Sequence, residues 1–190
     1  MPDAFLGDGL VFEESVPLRF ERGATPASAE LARLNGTNHQ LLAALATLEE
    51  SHGAEVLKDE SPALAQELQR LEYKVDVLLR LTAQLAMRAA PLPPAARVRL
   101  TGAGLEWYEP ADAFTAGESG LISLYLSPTL PEPLRLAAVV AGVGQREGAR
   151  VAQLAFSEVS DAVVEALEKL IFRHHRRQVA GSRQHPPRHP

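Results

Sequence analysis

The first half of the chain places apolar residues at alternating spacings of three and four, the period of an amphipathic α-helix. The first such stretch follows Thr25 and Pro26, a favourable capping residue and a favourable first helical residue, and it ends at residues 51–53. Its seam consists of Leu31, Leu34, Asn38, Leu41, Leu45 and Leu48. Because a buried Asn in such a seam commonly specifies register and oligomeric state, Asn38 favours pairing with other copies of the chain.

A second helix is predicted from Pro62 to Ala89 or Ala90, where the sequence PLPP ends it. Its heptad seam, the predicted oligomerisation surface, consists of Leu64, Leu68, Leu71, Val75, Leu78, Thr82 and Leu85. Leu79 and Leu81 widen this apolar face beyond what one partner helix covers. The pattern therefore predicts a homo-oligomer, with a tetramer preferred over a dimer. An internal hairpin of the two helices is the alternative that would cover part of the same face.

After Pro94 the pattern changes to short β-prone runs separated by turns, namely RVRLTGAGLEWY, GLISLYL, LRLAAVVAGV and ARVAQLAF. A similar run, SVPLRF, precedes the two helices. The last run is followed by an amphipathic helix whose apolar face consists of Val163, Val164, Leu167, Leu170 and Ile171. The predicted fold class is thus α+β, a small β-barrel or sandwich with a C-terminal helix and two inserted heptad-repeat helices.

These elements divide the chain into four parts. Residues 1–23 contain an N-terminal segment and the first strand, and residues 24–94 form an inserted helical oligomerisation element. Residues 95–178 form the rest of the barrel and the C-terminal helix, and residues 179–190 are predicted to be a basic, disordered tail.

Composition and charge exclude several classes of function. With 46% hydrophobic residues the chain has enough apolar material for a core, and the absence of cysteine excludes disulfides, thiolate nucleophiles and cysteine-based zinc sites. The net charge of −5 argues against a nucleic-acid-binding protein. There is neither an apolar run long enough for a membrane span nor a basic, secretory-type N-terminus, so a cytoplasmic location is expected.

The order of the β-prone runs resembles the PilZ domain family, over about residues 11–22 and 95–178. The resemblance rests on SVPLRF, on the small-residue turn in RLTGAGLEW, on the glycine loop in FTAGESGLISLYL and on the strand end AQLAF before the last helix. It implies a six-stranded barrel and a bacterial signalling role through protein contacts in motility, type IV pilus or virulence control.

The motifs with which that family binds cyclic di-GMP are degenerate here. Val11 and Ser15 stand where the resemblance places the two arginines of an Arg-x-x-x-Arg motif. Arg99, Thr101 and Gly104 stand at the three defining positions of an Asp/Asn-x-Ser-x-x-Gly motif, so an arginine replaces the acid or amide. We therefore expect the turn to be kept and cyclic di-GMP binding to be lost.

Two other functional hypotheses remain open at this stage. The chain is a genuine cyclic di-GMP receptor if displaced arginines form the phosphate clamp, with Arg19, Arg22, Arg97 and Arg99 as candidates. An enzyme would need a pocket with convergent polar groups, to which nothing in the sequence points.

We find no catalytic constellation, no cofactor motif and no metal-ligand set in the sequence. The neighbouring His174 and His175 point about 100° apart on a helix and are poor co-ligands. The favoured function is a non-enzymatic PilZ-type adaptor that acts on an unidentified protein partner.

Overall fold

A closed, fully antiparallel barrel of six strands forms the body of the computed structural model, which describes residues 5–6, 9–49 and 62–184. The strands are β1 (Phe12–Arg22), β2 (Ala95–Leu100), β3 (Gly104–Tyr108), β4 (Ser119–Leu124), β5 (Leu134–Arg146) and β6 (Ala149–Phe156). Around the barrel they follow the order β1-β2-β3-β6-β5-β4. The predicted six-stranded α+β fold is confirmed.

The first strand closes the barrel because it is long enough to pair with two neighbours. Its first half pairs with β2 and its second half with β4. Alternate residues of β1 point inwards, and the interior is filled by large aliphatic side chains. Fully buried examples are Val98, Leu100, Leu105, Ile122, Leu124, Leu136, Val140 and Leu154.

Three helices accompany the barrel: α1 (Ser28–Glu49), α2 (Pro62–Ala89) and α3 (Asp161–Gln184). Val163, Leu167, Leu170 and Ile171 bury the predicted apolar face of α3 in the main core. The helix continues to Gln184, so the boundary predicted at residue 178 falls inside it. The predicted end of the first helix at residues 51–53, and the last six residues of the tail, lie outside the described residues.

The seam of α1 packs within its own chain, against α3 and β5. Leu41, Leu42 and Leu45 are buried in the same core cluster as the barrel interior. Asn38 is 2% exposed, and its side-chain amide hydrogen-bonds the backbone of Arg135, donating to the carbonyl at 2.7 Å and accepting from the N–H at 3.0 Å. This corrects the sequence-based assignment of Asn38, because its polar atoms are used to complete the edge of β5.

The backbone of Arg135 has no strand partner on one side, because β5 begins before its pairing with β6. The β5–β6 ladder begins at the pair Ala138–Phe156, which leaves the first residues of β5 without a strand on that side. A buried backbone amide without a partner is costly, and the Asn38 amide takes the place of a strand there. The helix α1 is thereby fixed on the barrel.

Candidate functional site

The turn between β2 and β3 keeps the small residues that the sequence predicted. The Thr101 hydroxyl accepts a hydrogen bond from the Ala103 N–H and donates one to the Gly104 carbonyl, both at 3.3 Å. A Cβ at Gly104 would lie 2.5 Å from the Leu154 carbonyl oxygen, so only glycine fits there. The Thr101 hydroxyl therefore stabilises the turn from within. Thr101 as a whole is 8% exposed.

The third predicted site residue, Arg99, lies on the outer face of the barrel and is bound to an acid. Its Nη1 lies 2.9 Å from Oε2 of Glu106, the residue directly opposite on β3. Arg146 Nη1 lies 3.3 Å from both carboxylate oxygens of Glu106, and Gln153 Nε2 lies 3.5 Å from Oε1. The side chain of Glu106 is 2% exposed. Sequence analysis missed this carboxylate.

Arg99 and Glu106 belong to a longer row of alternating charges on this face, which we call the charge ladder. The Arg97 guanidinium binds Glu13 and, at 3.1 Å, Glu147. Glu13 in turn lies 3.8 Å from Arg99 Nε. The order is Glu147, Arg97, Glu13, Arg99, Glu106 and Arg146. Each arginine of the ladder contacts at least one carboxylate, so the signs balance along the row.

The two remaining candidate arginines lie on the second half of β1 and also have acidic partners. Arg19 pairs with Glu21. Arg22 Nε lies 3.3 Å from Glu118, and its guanidinium stands 5.3 Å from the ring centre of Phe114. A hydrogen bond from the Thr115 backbone contributes most to lowering the pKa of Glu118 below its usual value. The hydrogen bond and the positive charge of Arg22 lower this pKa further. The four candidate arginines are therefore not gathered into one phosphate clamp.

A cavity of about 760 Å³ opens where β1, the ends of α1 and α2, and α3 meet. Its wall is mostly apolar, with Leu45, Met87 and Leu170 among the lining residues. Glu14 and His174 line one side, with Glu14 Oε1 3.4 Å from His174 Nε2. Ser15, which stands at a position of the degenerate arginine motif, also lines it. The acidic and basic residues that line the cavity are Glu14, His174 and Arg177.

The predicted oligomerisation surface lies on α2, and its d-position leucines are exposed. Leu64 and Leu71 are each 55% exposed, Leu78 is 61% and Leu85 is 64%. The helix has 28 residues and is therefore about 42 Å long. The Thr82 hydroxyl, in the same seam, donates to the carbonyls of α2 itself at 2.9 and 3.0 Å, so it can be covered without losing a partner.

Two further features are absent within residues 5–6, 9–49 and 62–184. No three His, Cys, Asp or Glu side chains are grouped so that they could hold a metal ion. None of the helices in this described part has the length and apolar character needed to cross a membrane.

Comparison with known proteins relates the chain to one domain family and to solved structures. The family model described as "Atypical PilZ domain, cyclic di-GMP receptor" matches residues 42–184. The crystal structure of a pathogenic protein from Xanthomonas campestris, described as a new tetrameric PilZ domain self-assembled via an unusual helical bundle, is 29% identical. The match covers 91% of each chain with a TM-score of 0.69. No curated protein sequence matches significantly.

Proposed function

Because this chain belongs to the atypical PilZ domain family, we propose that it is a non-enzymatic bacterial signalling adaptor that assembles as a homotetramer through α2. PilZ domains are receptor and adaptor domains, and the chain is a PilZ-type signalling protein. The adaptor acts by protein contacts in the cytoplasm, in a pathway such as motility, type IV pilus or virulence control, and it does not bind cyclic di-GMP in the family's usual way.

The observation that carries the proposal is the exposed seam of α2. Leu71 and Leu78 belong to the row of d-position leucines, and each leucine of this row, from Leu64 to Leu85, is more than half exposed. An apolar stripe of this length is unfavourable in water, and burying it against other helices lowers the free energy. The seam of α1 cannot serve as the partner, because α1 uses it to pack on its own barrel.

The preference for four helices over two rests on the width of the face. Besides the a and d positions, Leu79 and Leu81 add apolar surface on both sides of the seam. A two-helix coiled coil covers the narrow a/d stripe alone, whereas a four-helix bundle also covers flanking positions. The related Xanthomonas protein described as a tetramer built on a helical bundle supports the same arrangement.

The experiment is light scattering after gel filtration. The intact chain is expected to give four times its mass of 20.5 kDa. The double variant Leu71→Asp/Leu78→Asp is expected to be monomeric, because assembly would bury charges without partners. The matched control is Arg70→Asp/Arg80→Asp, which changes charge on the same helix at exposed positions outside the seam. A monomeric wild type at about 100 μM, well above the Kd of a stable oligomer, would refute the proposal.

The absence of nucleotide binding rests on the partners of the arginines. Arg97 and Arg99 lie in the charge ladder, and Arg19 and Arg22 bind separate acids. An entering phosphate would have to displace a carboxylate from each arginine, so binding energy would be spent on breaking ion pairs. The alternative is a genuine cyclic di-GMP receptor, which the description of the family model favours.

A further inference from the structure

The carboxylate of Glu106 stands out among the charged groups because it is buried and surrounded by donors. Its side chain is 2% exposed, whereas Arg99 and Arg146 are 17% and 28% exposed. A carboxylate this deeply buried is retained only if its charge is compensated by hydrogen-bonded cations. Glu106 meets that condition through two guanidinium groups and the Gln153 amide.

The same arrangement is the donor set of an oxyanion site. Planar guanidinium groups from two strands and one amide N–H converge on a pair of oxygens, which is how proteins bind phosphate and carboxylate ligands. Arg99 comes from β2, Arg146 from β5 and Gln153 from β6, so three separate strands supply the donors. The anion they surround is supplied by a fourth strand, β3.

The outer face beside this site has room for an anion larger than a carboxylate. On β5, the residues paired with Gln153 and Val151 are Gly142 and Gly144, which place no side chain on the outer face. Added Cβ atoms would meet only Gln153 Oε1, at 3.3 Å, beside Gly142 and open space beside Gly144. Among the described residues, Glu106 is the acid that Arg99, Arg146 and Gln153 all contact, and Glu13 lies 3.8 Å from Arg99 alone among these three.

We propose that Glu106 is the built-in anion of an oxyanion-binding site on the outer face of the barrel, and that it excludes phosphate-type ligands by occupying that site. The inference rests on the proposed function, in which the wild-type chain binds no cyclic di-GMP. It adds a single residue that determines this specificity. Without the Glu106 carboxylate, Arg99, Arg146 and Gln153 would bind an oxyanion from solution.

The test is chemical rescue of a variant that lacks the carboxylate. Thermal unfolding of Glu106→Ala is measured in about 50 mM inorganic phosphate and in sodium chloride of the same ionic strength. Phosphate is expected to raise the Tm of Glu106→Ala by about 3 °C or more over chloride, and to leave the wild-type Tm unchanged, because only the variant has a vacant donor set. Glu13→Ala is the matched control, since Glu13 belongs to the charge ladder but is 42% exposed.

A second variant, Glu106→Gln, keeps the shape of the side chain while removing its charge. If Glu106→Ala does not fold in chloride, the fraction folded in phosphate becomes the readout, and failure of phosphate to restore folding refutes the inference. Equal effects of phosphate on Glu106→Ala, Glu106→Gln and Glu13→Ala also refute it, because they would show a general salt effect. Cyclic di-GMP binding by the wild type would instead refute the proposed function.

Discussion

Tyr108 lies on the outer face of β3, two residues from Glu106, and is 4% exposed. The guanidinium of Arg97 lies 4.5 Å from its ring centre. Burial raises the pKa of Tyr108 above its usual value near 10, and the negative charge of Glu106 raises it further, against opposing contributions from Arg146 and Arg99. Its hydroxyl is buried without a hydrogen-bond partner among the described residues.

These two properties predict how Tyr108→Phe changes stability with pH. Below pH 10 both folded and unfolded forms are protonated, so the variant is expected to match the wild type or exceed it by up to about 1 kcal/mol, because it removes an unsatisfied hydroxyl. As pH rises above 10, Tyr108 ionises in the unfolded form before it does so in the folded form. The free energy of unfolding of the wild type therefore falls. That alkaline loss should be smaller in Tyr108→Phe, as measured by urea unfolding at pH 7 to 11. Identical slopes would contradict the assignment, and Tyr73→Phe, at an exposed site, is the control.

At the scale of elements, α1 and α2 show what a heptad pattern can and cannot predict. The spacing of leucines predicted both helices, because it reports an apolar face of helical period. It could not predict what covers that face. The barrel together with α3 can bury these residues as well as a helix of another copy can. Asn38 therefore fitted a coiled-coil seam in the sequence, although its amide binds the backbone of Arg135.

A substitution in α1 separates these two roles. Asn38→Leu is expected to lower the free energy of unfolding by about 1–3 kcal/mol, because it leaves the partly buried N–H and carbonyl of Arg135 without the partners that Asn38 supplies. The mass measured by light scattering should remain that of the wild type. Gln40→Leu, at an exposed position of the same helix, serves as the control. A change in oligomeric state with unchanged stability would instead show that Asn38 specifies the register and oligomeric state of a coiled coil.

The strands were predictable for a different reason, and the charge ladder was predictable in part. Alternating apolar residues and glycine turns locate strands locally, as they did for the β2–β3 hairpin. A tight turn at residues 101–103 places Arg99 opposite Glu106, so opposite charges across the hairpin were the available signal. Arg146 and Gln153 come from strands far along the chain, and only the closed barrel brings them to Glu106 and buries it.

For the whole molecule, the charge balance of the ladder predicts weak attraction for anions. Its three arginines and three glutamates sum to zero formal charge, and the chain carries −5 overall. Cyclic di-GMP is an anion and meets no net positive face on the ladder. Isothermal titration of the wild type is expected to show no binding tighter than about 10 μM, roughly −7 kcal/mol. Tighter binding would mean that the nucleotide displaces the carboxylates or uses another surface.

The insertion of α1 and α2 between β1 and β2 also sets the order of events during synthesis. The first strand pairs with β2 and β4, both of which follow the insertion, and closure needs β6 near the C-terminus. On the ribosome, α2 is therefore complete before any partner strand of β1 has been made. Local helices form far faster than long-range strand pairs. The leucine stripe of α2 is thus available to neighbouring nascent chains on a polysome while the barrel of each chain is still open.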